Sequence, residues 1–109
     1  LCFCTGSFAA AGADIPALIR HFGKRIHFAH FRNLRGTVPR FSEPFHDDGD
    51  INMAAAMRAL RDVNFTGPIR PDHVPKLEGE AGVGDGYHML GRLFAVGYLR
   101  GLMHALEGQ

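Results

Sequence analysis

The chain has 109 residues, with 12 Lys and Arg against 11 Asp and Glu and a formal net charge of +1. That length suits one small domain with a modest core. The near-neutral balance gives no electrostatic case for nucleic acid or an anionic membrane as partner, and no apolar run reaches the roughly 18 residues a membrane span needs. No charged-then-apolar leader is visible, and the first residue, Leu1, opens directly on an apolar run. A chain cut at its N-terminus is the expectation. Cys2 and Cys4 would share one face of a strand, where a bridge between them strains the backbone, and two cysteines make no disulfide framework. A reducing cytoplasm is therefore expected.

Leu1–Cys4 is short, apolar and strand-like; Thr5-Gly6-Ser7 breaks it, and Phe8–Ala13 reads as a connection. Asp14 is a good helix N-cap and Pro16 suits a first turn. Ile15, Leu18, Ile19 and Phe22 follow at helical spacing, and Gly23 suits the helix end. Arg25–Arg32 (RIHFAHFR) alternates as a strand. This pattern puts Ile26, Phe28, His30 and Arg32 on one face and His27 on the other, under a helix layer. Asn33–Gly49 is long and irregular, with Gly36, Pro39, Pro44 and Gly49; loops of that length are more often functional than idle. Asp50 is placed as the cap of a second helix, roughly Ile51–Val63, with Met53, Met57 and Leu60 on one face. Ile69–His73 is the third strand-like run. Lys76–Gly86 is a glycine-dense loop, and its GVGDG stretch lacks the preceding strand of a dinucleotide fingerprint. A last helix is predicted from Tyr87 to Leu106, with Leu90, Phe94, Gly97, Gly101 and Ala105 along a closely packed face. Strands alternating with helices make parallel sheets, and ligands gather at the strands' C-terminal ends.

Cys4, His30, Arg32, Asp72 and His73 all sit at such ends. Cys4 is a thiolate ligand or, as free cysteine usually is, a small buried hydrophobe; Cys2 reads as core. His30 is the better ligand candidate and His27 the structural one. Pro71 holds Arg70 extended, which fits a strand tip carrying Asp72. Arg32 and Arg70 could clasp a substrate carboxylate or neutralise Asp72. His46, Asp47, Asp48 and Asp50 are read as a helix cap with solvated neighbours, not as a metal cluster. His21, His88 and His104 are placed on helix surfaces. One Cys, one His and one Asp form a mixed soft and hard set that suits a divalent transition ion, with room left for water or substrate.

With LCFCTGS (Leu1–Ser7), DIPALIRHFG, RIHFAHFR, FHDDGDINM, IRPDH and GYHMLGRLFAVGYLR in order along most of its length, the chain resembles the metal-dependent mannonate dehydratases of hexuronate catabolism. The resemblance implies an α/β (β/α)8 TIM barrel of the xylose isomerase-like group. Residues 1–109 would be one partial domain of it, about the last three βα units. It also implies a lyase that dehydrates D-mannonate to 2-dehydro-3-deoxy-D-gluconate with Mn2+ or Fe2+. Carried over by motif, the metal ligands are Cys4, His30 and Asp72, joined in the family by a histidine from an earlier strand. His73 and Tyr87 match its acid/base positions, and Arg32 a substrate contact. The full-length protein is expected to be a homo-oligomer with a small sugar-acid substrate, without nucleic acid or membrane. A sugar isomerase or epimerase on the same barrel is the alternative. So is a non-catalytic fragment, since three strands leave an open edge that invites association.

Overall fold

A computed structural model describes residues 1–80 and 86–107. In chain order the elements are β1 (Cys2–Cys4), α1 (Thr5–Ala10), α2 (Ile15–Phe22), β2 (Phe28–His30), β3 (Arg35–Thr37), β4 (Arg40–Ser42), α3 (Met53–Asp62), β5 (Ile69–Arg70) and α4 (Met89–Leu106). β1, β2 and β5 form a parallel sheet in the order β1-β2-β5, with Cys4 beside His30 and His30 beside Arg70.

Alternation along these short strands decides what each face does. Phe3 and Ala29 are completely buried against α2 and α3, in a core with Ile15, Ile19, Ile26, Phe31, Met57 and Leu60. Burying each large apolar side chain stabilises by about 1.5–3 kcal/mol. Cys2, Cys4, Phe28, His30 and Arg70 take the opposite face, where the Phe28 and His30 rings meet edge to face at 5.3 Å. Cys2 is exposed there and not in the core as expected.

His27 also departs from expectation. Regular pairing begins only at Phe28, so His27 lies before the strand and beyond the helix layer, with its ring exposed and its N–H donated to the Leu1 carbonyl at 2.9 Å. Ile26 likewise leaves the His30 face and joins the core.

Helix starts follow local chemistry. The Asp14 carboxylate accepts from Ala17 N at 3.1 Å and Pro16 occupies the first turn of α2. Removing such a cap costs about 1 kcal/mol. Gly23 ends the helix at φ 50°, a left-handed value that suits glycine. For α3 the cap is Asn52, which accepts from Ala55 N at 2.9 Å. Asp50 instead accepts from Gly36 N at 2.7 Å and ties down the β3–β4 ribbon. That ribbon, Arg35 to Ser42, is exposed on both strands; with no buried face it leaves no alternation to read, and the segment passes for loop.

The Thr5–Ala10 stretch, read as a strand break and connection, is helical because the next strand's exit packs on it. Thr5 Oγ donates to Arg32 O at 2.6 Å, and the Arg32 side chain lies across Gly6, where a Cβ would collide with it. In α4 the tight approach falls on Gly91, against Pro75 and Val74, while Gly97 and Gly101 have open space around them. The buried positions are Gly91, Ala95, Leu99 and Leu106. Leu90 and Phe94 are exposed, so the buried stripe is rotated from the expected one. Of the Lys76–Gly86 loop, residues 81–85 lie outside the described residues. No described helix is long and apolar enough to cross a membrane.

Candidate functional site

In a parallel pair, partner residues stand side by side on one face. The register Cys4–His30–Arg70 therefore carries Cys4 and His30 to the same sheet end as the chain leaving β5. Two residues on, Asp72 adopts φ 66°, a left-handed conformation that Asp tolerates better than most side chains. Its carboxylate turns back over the strand ends and is almost fully buried. Ligand atoms of Cys4, His30 and Asp72 lie within 4.8 Å of one another, and Cys4 Sγ is 3.8 Å from Asp72 Oδ2. Donors sharing one transition ion at about 2.0–2.3 Å sit roughly 3–4.5 Å apart. A thiol, an imidazole and a carboxylate at this spacing can hold such an ion after a small contraction.

Around this trio runs a network of charge. Arg32 Nε is 3.2 Å from Asp72 Oδ2, and Arg32 Nη1 pairs with Glu43. The Arg32 side chain is 10 % exposed, so its guanidinium is largely occupied by protein carboxylates. Glu43 Oε2 and Arg32 Nη1 both approach His73 Nδ1 at 2.9 Å. A guanidinium only donates and a carboxylate only accepts. Both Glu43 oxygens face His73 Nδ1, at 3.1 and 2.9 Å, where a bare ring nitrogen would be repelled, so His73 is arranged as Nδ1–H donating to Glu43, with the lone pair on Nε2. His73 Nε2 is 3.8 Å from Asp72 Oδ1. Tyr87 packs edge-on to His73 with ring centroids 5.1 Å apart, and the Arg70 guanidinium lies over the Tyr87 ring at 5.3 Å. Next to them is a cavity of about 440 Å³, lined by Arg70, Pro71, Asp72, Met89, Arg92 and Leu93 among others.

The strand exits are stitched together by buried polar side chains. Thr5 reaches Arg32 O, Asn33 Nδ2 donates to His46 O at 2.8 Å, and His46 Nε2 reaches Pro71 O at 2.7 Å. Asn33 Oδ1 also accepts from Leu34 N and Ile51 N, closing the long loop around itself. His46, expected at the surface, has no exposed area; burial pushes its pKa below the ordinary imidazole value, against the pull of the Pro71 and Phe31 carbonyls and, more weakly, of Asp72 and Asp47. His88 is buried at the N-cap position of α4, again unlike the surface position expected, whereas His21 and His104 are exposed. Glu43 was missed by sequence reasoning. Its only signal is its place in the long loop, three residues before His46, in a stretch otherwise marked by turn residues.

Comparison with known proteins converges on one family. The family model for D-mannonate dehydratase (UxuA) matches residues 1–109. The chain is 46% identical to Mannonate dehydratase 2 of Halalkalibacterium halodurans over 110 residues, covering 95% of this chain and 32% of that protein. It is 40% identical to the mannonate dehydratase of Enterococcus faecalis, covering 98% and 31%. The crystal structure of mannonate dehydratase from Streptococcus suis serotype 2 superposes with a TM-score of 0.86 at 34% identity, covering 94% of this chain and 31% of that one. The chain thus spans about a third of the length of the relatives it matches. By its sequence and by its fold, the chain belongs to the D-mannonate dehydratase family.

Proposed function

We propose that this chain is the C-terminal third of a mannonate dehydratase, contributing the last strands of a (β/α)8 barrel and most of its active site. The reaction is the dehydration of D-mannonate to 2-dehydro-3-deoxy-D-gluconate. The proton on C2 is removed, the C3 hydroxyl leaves as water, and the resulting enol becomes the 2-keto acid. The observation that carries this reading is the convergence of Cys4, His30 and Asp72 beside His73 and Tyr87, in a chain of this family.

Cys4, His30 and Asp72 would hold a divalent ion, Mn2+ or Fe2+, with a further histidine from an earlier strand. Such an ion stabilises the negative charge that builds on the substrate as the C2 proton leaves. His73 and Tyr87 are the acid/base pair. Glu43 holds His73 Nδ1–H, so the proton is exchanged at Nε2, on the side facing Asp72. Tyr87 packs edge-on to His73, with ring centroids 5.1 Å apart. Arg32 offers substrate only the exposed edge of its guanidinium. Arg70 and Arg92, on the wall of the cavity beside Asp72, give the sugar-acid carboxylate its cationic surroundings.

The test is direct. The full-length protein, loaded with Mn2+, should convert D-mannonate to a 2-keto-3-deoxy acid, and the isolated 109 residues should not. A folded, metal-loaded full-length protein that yields no keto-deoxy acid would refute the proposal; an isomerised or epimerised sugar acid in its place would move the assignment to the isomerase reading.

A further inference from the structure

His46 is a completely buried imidazole that the proposed chemistry does not use. Its Nε2 is 2.7 Å from the Pro71 carbonyl, and its Nδ1 has no hydrogen-bond partner among the described residues. A carbonyl only accepts, so the ring donates Nε2–H and leaves Nδ1 bare. Burying a half-satisfied imidazole costs free energy, and a smaller apolar residue would avoid that cost. What the imidazole supplies in return is a fixed hydrogen bond to the Pro71 carbonyl, with the Phe31 carbonyl also beside the ring.

The Pro71 carbonyl belongs to the peptide unit joining Pro71 to Asp72. The unit is planar, so fixing the Pro71 C=O direction also fixes the bond about which Asp72 adopts φ 66°. Left-handed values for a residue with a side chain cost of order 1–3 kcal/mol and persist only where the surroundings over-determine them. The Asp72 carboxylate faces Cys4 Sγ at 3.8 Å because of this turn. His46 is anchored in its own right: its carbonyl accepts from the side-chain amide of Asn33, three residues after His30 at the end of β2. Asn33, His46 and Pro71 thus form a rigid link between the strand ends that carry His30 and Asp72.

We infer that His46 is a positioning residue for the Asp72 carboxylate, holding the Pro71–Asp72 peptide so that the carboxylate meets Cys4 and His30 in one donor set. This rests on the reading of those three residues as metal ligands, and outer groups that orient metal ligands typically contribute 10- to 100-fold in affinity.

The experiment measures Mn2+ dissociation constants by isothermal titration calorimetry on the full-length protein and its variants, each well below its own Tm. His46→Phe keeps a ring but has no donor, and should weaken Mn2+ binding about 10- to 100-fold. His46→Gln keeps an N–H donor of similar reach and should recover most of the affinity, to within about threefold of wild type. His46→Leu is the second donor-less variant should His46→Phe fail to fold. A donor-less variant that binds Mn2+ within twofold of wild type, whatever happens to its Tm, overturns the inference, because a merely structural histidine lowers Tm without moving the affinity of the folded protein. A wild-type protein that takes up no metal overturns the ligand assignment itself, and with it this inference.

Discussion

The two ends of the parallel sheet are held together differently. Where the strands enter, backbone meets backbone. His27 N–H donates to Leu1 O at 2.9 Å, Ala29 N–H to Pro68 O at 3.1 Å, and Gly67 lets the turn before β5 lie directly on His27 O. Where they leave, side chains do the holding. Thr5, Asn33 and His46 are each less than 2 % exposed and each bonds to the backbone of a different connection, while Arg32 and Asp72 are buried as an ion pair. Buried polar groups are costly unless partnered. A fold that gathers them at one end specifies geometry there beyond what sheet pairing demands, and it is the same end at which Cys4, His30 and Asp72 converge.

The largest effect should come from breaking the exit end at its centre. Asp72→Asn removes a proposed ligand and the partner of Arg32, and in the full-length protein should weaken Mn2+ binding at least about 100-fold and lower kcat by about 1,000-fold or more; calorimetry and a keto-acid assay check both. Glu43→Gln sharpens the comparison, since Glu43 touches His73 and Arg32 but none of Cys4, His30 and Asp72. It should lower kcat roughly 10- to 100-fold with Mn2+ affinity within about threefold of wild type, so that steady-state kinetics and calorimetry diverge.

Packing mutations follow. Gly6→Ala drives a Cβ into Arg32 and should destabilise by about 1–3 kcal/mol in denaturant titration. Gly101→Ala, in open space on α4, should stabilise by about 0.5–1 kcal/mol in the same assay. The smallest effect belongs to the surface. The Arg20 guanidinium, 3.1 Å away, holds the Asp62 carboxyl below its ordinary pKa. A lowered carboxylate pKa means that this contribution is present above the ordinary value and lost as pH falls through the folded one. Asp62→Asn should therefore flatten only the acid tail of the stability curve and shift Tm at neutral pH by no more than about 2 °C.

Much of the framework was legible in the residues. The α2 cap at Asp14, its proline and its closing glycine are local signals, complete within ten residues, and the structure has them where they were read. The three strand exits were legible for the same reason: a short apolar run ending in Cys, His or Asp needs no long-range knowledge to be noticed. Period-two alternation also separated His30 from Ala29 and Phe31, although not from Ile26, because only three residues of that segment pair as strand.

What tertiary structure decided is what happens between segments far apart in sequence. Asp50 and Asn52 are both competent caps; the approach of Gly36 to Asp50 assigned the cap to Asn52. Glu43 carries no mark until residues 32 and 73 are brought beside it. His46 stands in an acidic, turn-rich run that reads as solvated, and it is buried because the loop folds inward around Asn33. A sequence by itself shows which side chains are able to bind a metal or move a proton. Which of them meet, and which buried group holds them in place, depends on contacts spanning 11 to 68 residues, where the cost of ordering the chain is offset only by the packed whole.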